Sequence, residues 1–489
     1  MIRLNKCLIL LILGLTIGVL GCKKDEWNKH NEITDPTIKN DLLVTIEGNP
    51  ELSAFSGYLK KTGYDKVLSS SLSFTVWAPN NAAFDKVDPS YLADTAKLRL
   101  LIGGLITNQP HFTADADPAI RLKTLIGKNV LFSVAKLNDA AIVTPDLRAK
   151  NGVLHIISQA VLPQQNAWEF FMKDYANTEQ GKYIEQLQYM YVDPDSAEQI
   201  GLDPLTGAPI YKPGTGLVER NRLLQRVNIN NEDSLVTYVI LTDAAYEQEK
   251  TKLAAYFQDS TQIESDSLTQ WNIVKDLTFQ GVWNPDELPG ILYSIKDSVR
   301  FHITKGNIVK TQRVSNGIVY VVNHIDYDME SKIKPIVIEG EAFTNFMDPE
   351  VAYTIRKRRI PGTDSIFRDL LIENYGIASF WVRYPRVLNT VTYKAYWVSV
   401  NDFQTGTFPM KLAFKGHVDT TFSDPAHITF DTELPYQTVE LNNYQEVYLG
   451  DFKPDFYGLL DLYLIANNVK TNGSNTIVLD YIKLVPVLN

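Results

Sequence analysis

The sequence predicts a multidomain α+β protein in which two copies of one α/β unit precede an all-β sandwich. Three observations carry this. Two short boxes recur with nearly equal spacing in the first two thirds of the chain. Alternating apolar and polar runs, separated by turn clusters, take over beyond residue 330. The composition, 45% hydrophobic and 21% charged over 489 residues, is that of a chain able to bury about three cores at ~150 residues each.

The first element is an export segment. Arg3 and Lys6 supply positive charge, and Leu8 to Leu20 is an apolar run of thirteen residues. A membrane-spanning helix needs about 20, so residues 1–21 are read as a signal peptide. Val19-Leu20-Gly21-Cys22 resembles a bacterial lipobox, which implies cleavage before Cys22 and a lipid anchor on that residue. Two or more acyl chains hold a protein on a membrane where one is marginal. Residues 22–38 are then a lipidated tether. Lys23-Lys24-Asp25-Glu26 resembles the export tag of surface lipoproteins in glycan-foraging Gram-negative bacteria, which implies the outer membrane, facing the medium. With Cys7 in the signal, disulfides and cysteine metal sites are excluded from the mature chain. A net charge of −10 argues against nucleic acid as a partner.

The repeat comes next. "FTVWAPNNAAF" (74–84) returns loosely as "VTYVILTDAAY" (236–246), and "NGVLHIIS" (151–158) as "NGIVYVVN" (316–323). Phe84 and Asn151 are 67 residues apart, Tyr246 and Asn316 70. Each first box is a short strand followed by cap residues, Asn80 and Asn81 or Thr242 and Asp243. Each second box is an Asn-Gly turn entering a buried strand. These boxes resemble the signatures of the fasciclin domain over residues 39 to 329, which implies two compact α/β domains, 39–164 and 165–329. The first copy keeps His155 and Pro163; the second has Leu241 in place of Pro79 and Tyr320 in place of His155. The Tyr-His pair that the family associates with adhesion falls at Gly103-Gly104 and at Phe279-Gln280-Gly281, so it is missing.

Comparing the copies places about 37 extra residues between Tyr189 and Val236, an insertion near 191–235 rich in Pro, Gly and Asp. Asp193, Asp195 and Asp203 lack EF-hand spacing and its closing glutamate. The stretch is read as a solvated loop.

Residues 330–489 carry the sandwich. "PMKLAFKG", "TVTYKAYWVSV", "DLYLIANNV" and "NTIVLDYIKLVPV" are its strand candidates. The ending "LDYIKLVPV" resembles the last strand of jelly-roll, galactose-binding-like modules. The run Arg356-Lys357-Arg358-Arg359 is read as a solvated loop or strand edge. Alternation puts Tyr393 and Trp397 on one face and Tyr396 on the other, one set facing the core. Around them stand Asn401, Asp402, Phe403 and Gln404 at an expected loop tip. Aromatic faces cover sugar rings while amides and carboxylates bond hydroxyls. Tyr396, Trp397, Asn401, Asp402, Phe403 and Gln404 are therefore the candidate ligand residues.

No HExxH, GxSxG, P-loop or GxGxxG is present. The seven histidines never cluster at ligand spacing, so no enzyme, metal or cofactor is expected. The chain as a whole resembles accessory lipoproteins of starch-utilisation-like uptake systems. That resemblance implies a TonB-dependent porin and its lid lipoprotein as partners, with the protein binding a polysaccharide or other polymer, or bracing the complex. The alternative is fasciclin-type adhesion to cells or matrix.

Overall fold

The computed structural model describes residues 38–376, 379–416, 428–467 and 476–488. Cys22 and the signal segment lie outside the described residues. No described helix is long and apolar enough to cross a membrane. The chain forms two compact units, one ending at Gln164 and the other running from Gln165 to the end.

In the first unit, Phe74–Pro79 is buried along its whole length. It pairs parallel with Gly152–Ile157 and antiparallel with Ile106–Asn108. The sheet then continues through Ala140–Ala149 to a small meander ending at Ile120–Lys123, seven strands in all. Helices Ser53–Thr62 and Thr95–Gly103 supply Phe55, Leu59, Leu98 and Leu101 to its core. Asn80 caps helix Asn81–Phe84 by accepting from Ala83 N. Asn81 instead reaches across to accept from Ala54 N at 3.0 Å.

The second unit repeats this plan. Val236–Leu241 pairs parallel with Gly317–Val322 and antiparallel with Thr278–Gln280. Thr242 caps helix Asp243–Leu253, and Asp243 accepts from Glu179 N at 2.9 Å, as Asn81 does from Ala54. The Asn-Gly turns show why those two residue types recur. Asn151 accepts from Leu42 N and donates to Leu68 O; Asn316 accepts from Ala167 N and donates to Ile229 O. The glycines have φ of +150° and +152°, and a Cβ on either would lie 1.9 Å from the neighbouring strand's carbonyl, Phe74 O or Val236 O. Only glycine fits.

Two expectations need correction. The insertion is no loop. Gln188–Val192 pairs with Leu217–Asn221, and Gln199–Leu202 with Pro209–Tyr211, as two short antiparallel ribbons. Asp203 builds the tip, its carboxylate accepting from Thr206 N and Leu205 N; those bonds hold its pKa below the usual value. Second, Gly103-Gly104 and Phe279-Gln280-Gly281 are not equivalent places. Asn108 faces Phe74 where Gln280 faces Val236, so Phe279 matches Thr107. The segment 330–336 that leads into the sandwich is only partly exposed. Lys332, 3% exposed, pairs at 2.7 Å with the fully buried carboxylate of Asp276, and Ile333 is buried beside it. The second repeat and the sandwich share one continuous core.

The paired strands of the sandwich are antiparallel. One sheet runs in the order Ile336–Glu339, Tyr481–Pro486, Tyr393–Val398, Val447–Phe452. The other is centred on Trp381–Leu388, Gly458–Ala466 and Phe408–Gly416. A third, of three strands, carries Tyr353–Arg359 at its edge. The protein is thus mixed α and β: α/β repeats, then a β-sandwich.

Candidate functional site

The structure separates the six residues expected to form one platform. Tyr393, Ala395 and Trp397 point inward, and Trp397 is 1% exposed, paired across the sheet with Ile482. It fills the core and has no face for a ligand. Asn401 is also fully buried: its Nδ2 donates to Gly406 O at 3.0 Å and closes the following loop. Both leave the candidate set, because strand alternation buries the first and loop closure the second. Tyr396 faces outward against Tyr448, ring centroids 5.5 Å apart.

Asp402 and Phe403 are held by the basic run, which is not merely solvated. Arg356 and Arg358 converge on the fully buried Asp369, at 2.8 and 2.9 Å. Arg358 also pairs with Asp402, whose carboxylate accepts from the Tyr444 hydroxyl at 2.6 Å. The Arg356 guanidinium lies 4.6 Å from the Phe403 ring centroid. Gln404 is half-buried in the same loop. Asp402 is thus already engaged by Arg358 and Tyr444, whereas the Gln404 amide nitrogen is buried without a partner. Nearby, burial and then Glu339, Asp369 and Glu341 push the Asp480 carboxyl up to about 7, against the pull of Arg358.

A better-formed site lies on the loop 453–457, which crosses from strand Val447–Phe452 in one sheet to Gly458–Ala466 in the other. Sequence dictates its shape: Pro454 turns inward, and Tyr457 anchors the far end. Tyr457 N donates to Gln258 O at 2.6 Å, and its ring lies 5.3 Å from that of Phe257. The second repeat is stitched to the sandwich beside it, with Thr390 Oγ1 donating to Ala255 O at 2.9 Å and Asn389 Nδ2 to Tyr256 O at 3.2 Å. With both ends of the loop pinned, Phe456 remains 55% exposed.

Phe456 and Asp455 form the wall shared by two cavities. One, of about 560 Å³, lies on the sandwich and is lined by Phe414, Phe452, Asp431, Thr432 and Lys453. Phe414 and Phe452 stack at 3.7 Å, and Tyr393 extends that aromatic row into the core. The other, of about 350 Å³, lies against the second repeat and is lined by Gln258, Asp259, Ser260, Thr261, Gln262 and Asp266. An exposed aromatic ring on an anchored loop, flanked by carboxylates, hydroxyls and amides, suits a ring that is apolar on its faces and polyhydroxylated at its rim.

A cleft of about 830 Å³ on the first unit, by Asn49, Asp146 and Arg148, has no aromatic lining. Among the described residues, no group of three or more His, Cys, Asp or Glu is placed to hold a metal. The signal for the groove stood in the sequence as "FKPDFYG" (452–458), aromatic and acidic residues in a proline-bearing loop. What opposes that loop, the segment 254–266, is distant in sequence.

Comparison with known proteins bears on the first repeat and on the fold. The family model of the fasciclin domain matches residues 50–163. The protein sll1483 of Synechocystis sp. is 29% identical over 164 residues, which is 31% of this chain and 91% of that protein. Among solved structures, the FAS1 domain pair of the insect cell adhesion molecule Fasciclin I covers 58% of this chain and 100% of its own, at 15% identity and a TM-score of 0.24. The C-terminal carbohydrate-binding module of family 6 from LamC, a laminarinase of Zobellia galactanivorans, covers 31% of this chain and 99% of its own, at 12% identity and a TM-score of 0.19.

Proposed function

We propose that this chain is a non-catalytic binding protein of the bacterial cell surface that takes a glycan in the groove around Phe456. The observation that carries the reading is that ring itself: 55% exposed on a loop otherwise fixed by Pro454 and Tyr457, with a cavity on either side. An exposed aromatic on an anchored loop offers contact area at small backbone entropic cost. In this reading the lipid at Cys22 holds the protein on the outer leaflet of the outer membrane. The resemblance of the export segment and overall make-up to uptake-system lipoproteins supports a TonB-dependent porin and its lid lipoprotein as partners.

Affinity electrophoresis of the full mature protein through gels containing polysaccharides tests the binding. Retardation by at least one polymer is expected; free migration through all of them contradicts the reading. The fasciclin domain at 50–163 favours a second role, adhesion. Solubilised membranes separate the two: a co-purifying porin supports uptake, whereas cell aggregation by the protein without a porin supports adhesion.

A further inference from the structure

We infer that the groove selects an uncharged, oligomeric glycan and rejects acidic polysaccharides. This rests on the reading of the Phe456 groove as a glycan site, and it is drawn from two features of the lining.

The first is charge. Four carboxylates line the two cavities: Asp431 and Asp455 on the sandwich side, Asp259 and Asp266 on the repeat side. The cationic groups at hand are Lys453 in the lining and Lys250, 3.7 Å from Asp266. The remaining polar lining is uncharged: the Thr432 hydroxyl, the Gln258 amide, and Ser260, Thr261 and Gln262, whose side chains donate to Glu264 or Asp266 and keep their oxygens as acceptors. Carboxylates only accept hydrogen bonds, so they match sugar hydroxyls, which donate. A uronate or sulfate group would set like charges against them in a partly desolvated cleft. The geometry thus reads hydroxyls and repels anions.

The second feature is length. Each cavity falls within the range, about 300–1,000 Å³, that holds a small ligand, and they share the wall formed by Asp455 and Phe456. A chain passing over the Phe456 ring occupies both, whereas a single sugar occupies one. Ligands spanning two subsites gain the second contact at high effective concentration.

The test uses the full mature protein and calorimetric titration. The probes are neutral β-glucan, galactomannan and xylan oligosaccharides, their monosaccharides, and oligomers of alginate and polygalacturonate. At least one neutral oligomer is expected to bind about 10-fold or more tighter than its monosaccharide and than either acidic oligomer. Its affinity should change little between about 50 and 500 mM salt, because no ion pair is screened. Asp455→Asn should weaken that oligomer about 5–10-fold. Equal or tighter binding of alginate or polygalacturonate, weakened by salt, overturns the selectivity while leaving the glycan reading intact. Binding of none of the probes removes the glycan reading and the selectivity together.

Discussion

In the first repeat the His155 ring donates from Nε2 to His111 O at 3.0 Å and accepts Asp146 N at Nδ1. In the second, the Tyr320 hydroxyl donates to Trp283 O. These side chains hold the same register in the same parallel strand pair, opposite Trp77 and Val239. Around them the backbone bonds repeat: Thr75 Oγ1 donates to Gln109 O and accepts His111 N, while Thr237 Oγ1 donates to Gly281 O and accepts Trp283 N. The backbone demand is fixed and the side chain meeting it is not. The repeats diverge in what surrounds that common centre. The first widens its sheet to seven strands and keeps its own core. The second stops at four strands, shares its core with the sandwich and lends residues 254–266 to the groove. One scaffold serves as a self-sufficient domain in the first case and as one wall of the groove in the second.

The largest effect expected comes from adding a methyl group at the paired glycines. Gly152→Ala and Gly317→Ala each drive a Cβ into a strand carbonyl, and each should cost about 4 kcal/mol or more. Calorimetry should show Gly152→Ala removing only the transition of the unit ending at Gln164. Gly317→Ala should remove the transition of the second repeat and sandwich together. A sandwich that still melts cooperatively in Gly317→Ala would break the claim of a shared core.

Next in size is Asp276→Ala, which leaves Lys332 buried without its counter-charge at the base of the sandwich. Stripping one partner from a buried pair costs about 3–5 kcal/mol, and denaturant titration should find the loss in the second unit alone. Lys332→Met in the Asp276→Ala background should restore part of it. No restoration would mean that the pair is not what joins the repeat to the sandwich.

The smallest effects are those of pH, and they should run in opposite directions. Burial holds the His155 imidazole below its ordinary value, so the folded ring stays neutral while the unfolded one takes a proton below about 6.5. Its contribution is complete above that pH and is lost as pH falls below it, up to about 1.4 kcal/mol at pH 5.5. Asp480 behaves the other way. Its carboxyl is raised from 3.8 to about 7, so the folded state keeps a proton that the unfolded state has released, and stability falls as pH rises through that window. Asp480→Asn should therefore stabilise the second unit at pH 8 by about 1–2 kcal/mol after solvent screening, and do little at pH 4. Thermal melts at pH 4, 5.5 and 8 check both; a destabilised Asp480→Asn at pH 8 contradicts the second.

How much of this was legible follows from the range of each cause. The Asn-Gly boxes were visible because their causes are local: an amide that caps and a glycine that no side chain can replace. The strand faces around Tyr393 and Trp397 were visible as a two-residue alternation, but alternation does not say which face is inward, and Trp397 went to the core. The ribbons in the insertion were missed because strands of three to five residues between Pro, Gly and Asp turns carry too short a pattern. The burial of Lys332 is not legible in the sequence because the carboxylate that makes it tolerable, Asp276, is far away in the chain. Phe456 was missed for the same reason: its importance comes from Gln258 and Phe257, which fix the loop from the other domain.

In the proposed reading, binding depends on the Phe456 ring between the two cavities and not on the buried Trp397. It is tested most directly by Phe456→Ala in the full mature protein, with polysaccharide retention and thermal melting measured on the same sample. Retention should fall about 10-fold or more, with both melting transitions within about 2 °C of the parent. Unchanged retention at an unchanged melt would contradict the assignment of the site.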